Sequence, residues 1–269
     1  MRARVAVPPV HSRQPSPTEA PLRSILLAIV LSLALVPVGA GAEPDYTREK
    51  RWADEIVSRL VVGDAVFLEQ GTGHKFLSLY TEAVNARAAL ILVHGVGVHP
   101  DWGLIGRLRS TLPDDGYITL SVQMPVLAQA APVEAYRSTF AEASERLKIA
   151  ADFLRAKGYT KTAIVSHSMG SRMTHHHLTR DAHARPSAWV CIGWASEDHD
   201  FSGVSLPVLD LFGEHDWPSV LKGAPKRAAS LKSSPGSQQI TAPAADHYFS
   251  DRNVELVKYV REFLDRVVR

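Results

Sequence analysis

The stretch KTAIVSHSMGSRMTHHHL, residues 161–178, sets an apolar run directly before Ser166-His167-Ser168-Met169-Gly170 and a helical pattern directly after it. The spacing predicts a buried strand over 161–166 and a helix from about 169 to 180. A chain that turns from strand to helix this sharply exposes the side chain at the turn. The helix N-terminus adds positive potential beside it. This is the setting of the G-x-S-x-G nucleophile turn, where small residues let strand and helix backbones approach closely. Here Ser166 stands at the first glycine position, and Ser171 follows Gly170 where a further glycine is usual. Taken alone, Ser168 also reads as a helix N-cap.

Upstream, AALILVHG (88–95) is an almost unbroken apolar run, the pattern of a strand buried on both faces. A helix is expected around 103–112, a strand at 117–124, and a long helix over 134–157 stopped by Gly158. Downstream come strands at 188–194 and 206–213, a Pro-interrupted helix, a short strand near 237–242 and a closing helix over 251–268. Ahead of them lie an amphipathic helix over 48–62 and two strand-like runs, DAVFLEQ and KFLSLYTE, around the turn Gly71-Thr72-Gly73-His74. Repeated β-α units with buried strands predict one α/β domain with a mostly parallel, doubly wound sheet. The hairpin adds an antiparallel edge.

A serine nucleophile needs a base, an acid that orients the base, and donors for the developing oxyanion. On a sheet of this kind the partners follow in the order Ser, Asp or Glu, His. Asp216, in GEHDW, follows strand 206–213, and His247, in ADHYF, follows the last strand. Both are expected where the carboxyl ends of the strands converge. Asp216 also reads as a cap ahead of Trp217-Pro218, with Glu214, Asp198 and Asp200 as alternative acids.

His94-Gly95-Val96-Gly97 ends the strand at 88–93, and its glycines permit a close approach. The N–H groups of Val96 and Met169 form the natural oxyanion pair. His94 reads as a brace for that loop and His167 as a pocket-lining or structural residue. Trp102, Trp194 and Trp217 follow strand ends and read as pocket walls or as loop packing. His175-His176-His177 is not read as a metal site, because successive helical residues fan out by about 100°. The chemistry calls for no metal and no organic cofactor.

Together HGVGVHPDW, SHSMGS, DLFGEHD and ADHYF resemble the α/β-hydrolase superfamily over roughly residues 64–269. The stretch GVGVHPDWGLIGRLRSTLPDDGYITLSVQMPVL more narrowly resembles a bacterial α/β-hydrolase family of undefined function. The resemblance implies the α/β-hydrolase fold and the placement of Ser168, Asp216 and His247, but no substrate. The connection between strands 188–194 and 206–213 is about a dozen residues, so no large cap domain and an open, shallow pocket are expected. The expected activity is hydrolysis of a small-molecule ester through an acyl-enzyme. The alternative is a catalytically silent protein of the same fold that binds a partner at the cell envelope.

The chain's 269 residues, 45% of them hydrophobic, suffice for one core. The net charge is +2, with Arg2, Arg4, Arg13 and Arg23 contributing at the N-terminus. No basic stripe points to nucleic acid. Residues 1–24 are basic and rich in Pro and Ser, ILLAIVLSLALV (25–36) is wholly apolar or small, and Ala40-Gly41-Ala42 follows. That order reads as a secretory signal cleaved after Ala42, leaving residues 43–269. Twelve residues at 1.5 Å each reach about 18 Å, short of the roughly 30 Å bilayer core. A periplasmic or secreted destination is therefore expected, with membrane anchoring if the segment is retained. Cys191 is the only cysteine, so no internal disulfide forms.

Overall fold

The computed structural model describes residues 42–181 and 186–268. The expected signal segment, apart from Ala42, lies outside the described residues.

Helix α1 (Tyr46–Val57) starts where the Asp45 side chain accepts a hydrogen bond from the Arg48 N–H, and it buries Glu49, Ala53 and Ile56 along one face. It stops short of the expected residue 62. Beyond Val57 only Leu60 packs partly against the core, and Val61 and Val62 are exposed. Strands β1 (Asp64–Glu69) and β2 (Lys75–Thr81) form the antiparallel hairpin.

The other strands are β3 (Ala88–Val93), β4 (Tyr117–Val122), β5 (Thr162–His167), β6 (Ala188–Ile192), β7 (Val208–His215) and β8 (Gln238–Asp246). They build one sheet in the order β1-β2-β4-β3-β5-β6-β7-β8. The β1–β2 and β2–β4 pairs are antiparallel and all others parallel. Helices α2 (Gly103–Thr111), α3 (Phe140–Ala156), α4 (Met169–Arg180), α5 (Pro218–Leu231) and α6 (Asn253–Val267) complete the domain.

Alternate residues of the buried strands feed two cores. Ile91, Ile118 and Ile164 pack with Leu147 and Leu154 of α3 and Met173 of α4. Leu90, Leu92, Val165 and Val190 pack with Leu104 and Leu108 of α2 and Val260 and Leu264 of α6. The period-2 alternation thus divides each strand between helices on opposite faces. Under α5, the fully buried Arg227 Nε donates to Asp210 Oδ2 of β7 at 2.9 Å. Burial pushes the Asp210 carboxyl up and the guanidinium opposes that shift.

Two differences from the expected elements bear on the site. The long helix begins as a 3-10 turn, Val133–Thr139, and becomes α-helical only at Phe140. The last strand runs beyond 242 to Asp246, because pairing with β7 survives an irregularity and resumes at His215↔Asp246. Ala244 takes a positive φ of 52° there, and its N–H donates to Glu214 Oε2. No helix is inserted in the described β6–β7 connection, so there is no large cap. Among the described residues no helix is long and apolar enough to cross a membrane.

Candidate active site

Ser168 is the single residue between β5 and α4, with φ 55° and ψ −117°. An L-residue occupies such a region at a cost of about 1–3 kcal/mol, so the surroundings must hold it there. The Ser168 N–H donates to the Ile192 carbonyl at 2.9 Å, and the Ser171 N–H donates to the Ser168 carbonyl at 3.0 Å. Gly170 permits the turn: a Cβ there would lie 2.5 Å from the His94 carbonyl oxygen and 2.7 Å from that of Val93. The Ser168 hydroxyl makes no capping hydrogen bond, so a cap role does not account for it.

The two serines at glycine positions have a structural account. Ser166 Oγ and Ser171 Oγ lie 3.0 Å apart, and Trp189 Nε1–H donates to Ser166 Oγ at 2.8 Å. The pair therefore ties strand, helix and the neighbouring strand together beneath the turn, where glycines would supply only space.

Asp216 follows β7 directly, and His247 follows β8 directly. The parallel register of these strands brings the two loops together, with His247 Nδ1 2.6 Å from Asp216 Oδ1. The same carboxylate accepts from the Trp217 N–H at 2.7 Å and the Gly213 N–H at 3.3 Å, so it is held as an acceptor. Nδ1 is then the donor, which leaves Nε2 as the basic nitrogen. His247 Nε2 is buried and takes no hydrogen bond, so the Ser168–His247 bond is not made in this structure. Of the alternative acids, Glu214 bonds to Ala244 N and Asp200 to Ser202 N, and Lys226 Nζ donates to the Asp198 carbonyl.

Gly193 follows β6 and borders the histidine ring. Its neighbour Ile192 accepts from the Ser168 N–H, and a Cβ on Gly193 would lie 3.0 Å from His247 Cε1. His167 Nε2–H donates to the His247 carbonyl at 3.0 Å, which ties the serine turn to the histidine loop. Burial lowers the His167 pKa to about 3, with the nearby His247 adding to the shift, so the ring is neutral.

The Gly95 carbonyl accepts from His94 Nδ1–H at 2.9 Å, while His94 Nε2 accepts from the Met124 N–H at 2.9 Å. That fixes the tautomer, and burial holds the His94 pKa at about 3. The Gly95 carbonyl shares its trans peptide with the Val96 N–H, so His94 also sets the direction of that N–H. Met169 begins α4, where the first N–H groups have no intrahelical partner. Gly97, with φ 66°, presents its carbonyl to Arg48 Nη2 at 3.0 Å.

Trp217 stacks on His247 at a centroid distance of 3.6 Å, and Tyr248 packs edge-on against the same ring at 5.1 Å. Trp102 meets Tyr248 edge-on at 5.5 Å. All three are more than a third exposed and form an aromatic rim beside His247. Trp194 does not join them. It is fully buried against Trp189, Phe201 and His175, the packing role that its sequence position also allowed. The consecutive histidines diverge: His175 packs on Trp194, His176 on Phe140, and His177 bonds to Ser144.

Sequence reading missed Gly193, Tyr248 and Arg48. The first two sit beside residues already singled out, in CIGW and ADHYF, and were open to detection. Arg48 was not, because its partners Gly97 and Leu127 are far away along the chain.

The strand order and the strained serine after β5 define an α/β-hydrolase fold. A serine hydrolase without a lid from Xanthomonas campestris superposes with a TM-score of 0.62 at 15% identity, covering 77% of this chain and 96% of that one. A dienelactone hydrolase from Anabaena variabilis gives 0.61 at 18%, covering 77% and 98%. A cold-adapted esterase from an Arctic intertidal metagenomic library gives 0.62 at 18%, covering 76% and 93%. No curated protein sequence matches the chain. Residues 11–145 match the model of a family described as Protein of unknown function (DUF3530), and the chain belongs to that family.

Proposed function

We propose that the protein is a serine hydrolase acting on carboxylic esters of small molecules. The observation that carries this reading is the His247–Asp216 bond of 2.6 Å, which leaves Nε2 of His247 without a partner, together with the strained backbone of Ser168. Ser168 Oγ attacks the ester carbonyl while His247 Nε2 takes its proton, and Asp216 stabilises the resulting imidazolium. The oxyanion is received by the N–H groups of Val96 and Met169. His247 returns the proton to the departing alcohol, and water attacks the acyl-enzyme by the same steps in reverse. Catalytic hydrogen bonds are often long before substrate binds, which accommodates the unmade Ser168–His247 bond.

The fold itself, shared with hydrolases and esterases, supports a hydrolase without selecting the substrate. The test is labelling with a fluorophosphonate probe beside Ser168→Ala. Labelling of the wild type alone supports the proposal; a folded wild type that stays unlabelled refutes it. The second outcome favours a silent fold used for binding. The apolar N-terminal segment supports export with cleavage after Ala42, and N-terminal sequencing of protein recovered from the periplasm or medium checks it. A first residue other than Glu43 would overturn that cleavage site.

A further inference from the structure

Helix α1 precedes the first strand and supplies none of the groups assigned to the chemistry, yet it meets the loops that follow β3 and β4. Arg48 Nη2 donates to the Gly97 carbonyl at 3.0 Å, and Arg48 Nη1 donates to the Leu127 carbonyl at 2.8 Å. One planar guanidinium thus ties the two loops together. Trp52, one helical turn on, has its ring centroid 4.5 Å from Arg48 Cζ, and the same ring packs edge-on against His99 at 5.5 Å. The helix that carries both is itself anchored. The Asp45 N–H donates to the Val126 carbonyl at 2.7 Å. The buried Glu49 accepts from the Val126 N–H at 3.3 Å and from Arg146 Nη1 at 2.9 Å.

The Gly97 loop is where such a hold matters. Val96, whose N–H receives the oxyanion in the proposed reaction, stands between Gly95 and Gly97, and Gly97 sits at φ 66°. Glycines leave the backbone free to turn, so the loop needs restraint from outside. Among the described residues, the carbonyls of this loop are held at two points: His94 Nδ1–H donates to Gly95, and Arg48 donates to Gly97. His94 sets the peptide before Val96, and Arg48 sets the peptide after Gly97. Release of the second point lets the turn relax and carry the Val96 N–H with it.

We propose that Arg48 is a positioning residue for the oxyanion loop. It touches no reacting atom and acts by holding Gly97, and through it the Val96 N–H, where the tetrahedral intermediate needs a donor. The inference rests on the ester-hydrolysis reading.

Arg48→Met removes both donors and keeps an unbranched stem beside Trp52. With 4-nitrophenyl acetate, kcat should fall about 10- to 100-fold while KM stays within about twofold, because the loss falls on the transition state. Fluorophosphonate labelling of Ser168 should slow by a similar factor. Arg48→Lys can reach one carbonyl but not both, so its kcat should lie between the two. A purely structural contact would lower Tm and leave kcat unchanged well below the melting range, and that result overturns the proposal. A raised KM with unchanged kcat also overturns it, by placing Arg48 in substrate binding. Should Arg48→Met fail to fold, Arg48→Lys decides, and wild-type kcat in that variant refutes the proposal. A wild type that neither labels nor hydrolyses refutes the ester reading and this inference together. A wild type that labels, beside an equally reactive Arg48→Met, refutes this inference alone.

Discussion

Replacing Gly193 with alanine probes the placement of His247 without touching any group assigned to the chemistry. The new Cβ would stand 3.0 Å from His247 Cε1, 3.1 Å from Nδ1 and 3.5 Å from Asp216 Oδ2. Ordinary carbon contacts begin near 3.5 Å, so the ring must yield by about half an ångström. It has little slack, because Trp217 stacks on it at 3.6 Å and Asp216 holds Nδ1 at 2.6 Å. The backbone adds a second cost, since alanine at the Gly193 φ of 56° loses about 1–2 kcal/mol. That loss should lower Tm by roughly 2–8 °C for a domain of this size.

A misplacement of about 1 Å costs on the order of a hundredfold in rate, so kcat should fall about 10- to 100-fold, or about 1.4–2.7 kcal/mol of barrier. KM should move little, because Gly193 borders the histidine rather than the aromatic rim. The assay is hydrolysis of 4-nitrophenyl acetate together with the rate of fluorophosphonate labelling, beside a melting curve. A lowered Tm with wild-type kcat would show that the position of His247 does not limit the reaction, and the proton-transfer role given to it would fall.

Two further outcomes follow from burial and from backbone contact. The folded pKa values of His94 and His167, lowered to about 3 from 6.5, mean that the unfolded chain gains protons below pH 6.5 while the folded chain does not. Stability is therefore lost as pH falls from 6.5 toward 3, by about 1 kcal/mol per histidine between pH 6.5 and 5.5. Urea midpoints should fall over that interval and fall less steeply in His167→Gln; identical slopes would contradict a buried neutral ring. Gly170→Ala would drive a Cβ to 2.5 Å and 2.7 Å from two backbone carbonyl oxygens, forcing α4 away from β3. It should destabilise by about 3 kcal/mol or more, read as a lower urea midpoint, and a near-native midpoint would show that the contact is easily relaxed.

The sequence by itself determined the elements whose signals are local. Apolar runs at strand spacing predicted β3 and β5, and a serine set between a buried strand and a helix predicted the turn at Ser168, because both patterns are complete within a few residues. The order of Ser168, Asp216 and His247 along the chain was likewise readable. Tertiary structure decided what depends on partners far apart in sequence. Asp216, rather than Glu214, Asp198 or Asp200, reached His247 because the register of β7 and β8 carries two loops to one place. Trp194 turned into the core and Tyr248 onto the rim, although both sit beside strand ends, because neighbouring rings filled one position and left the other open. The serines in place of glycines gained their meaning only when folding set Trp189 of β6 beside them. Arg48 met the Gly97 loop across 49 residues of chain. Local periodicity specifies which segments form and which face each buries. Which side chains then meet is set by packing those segments together.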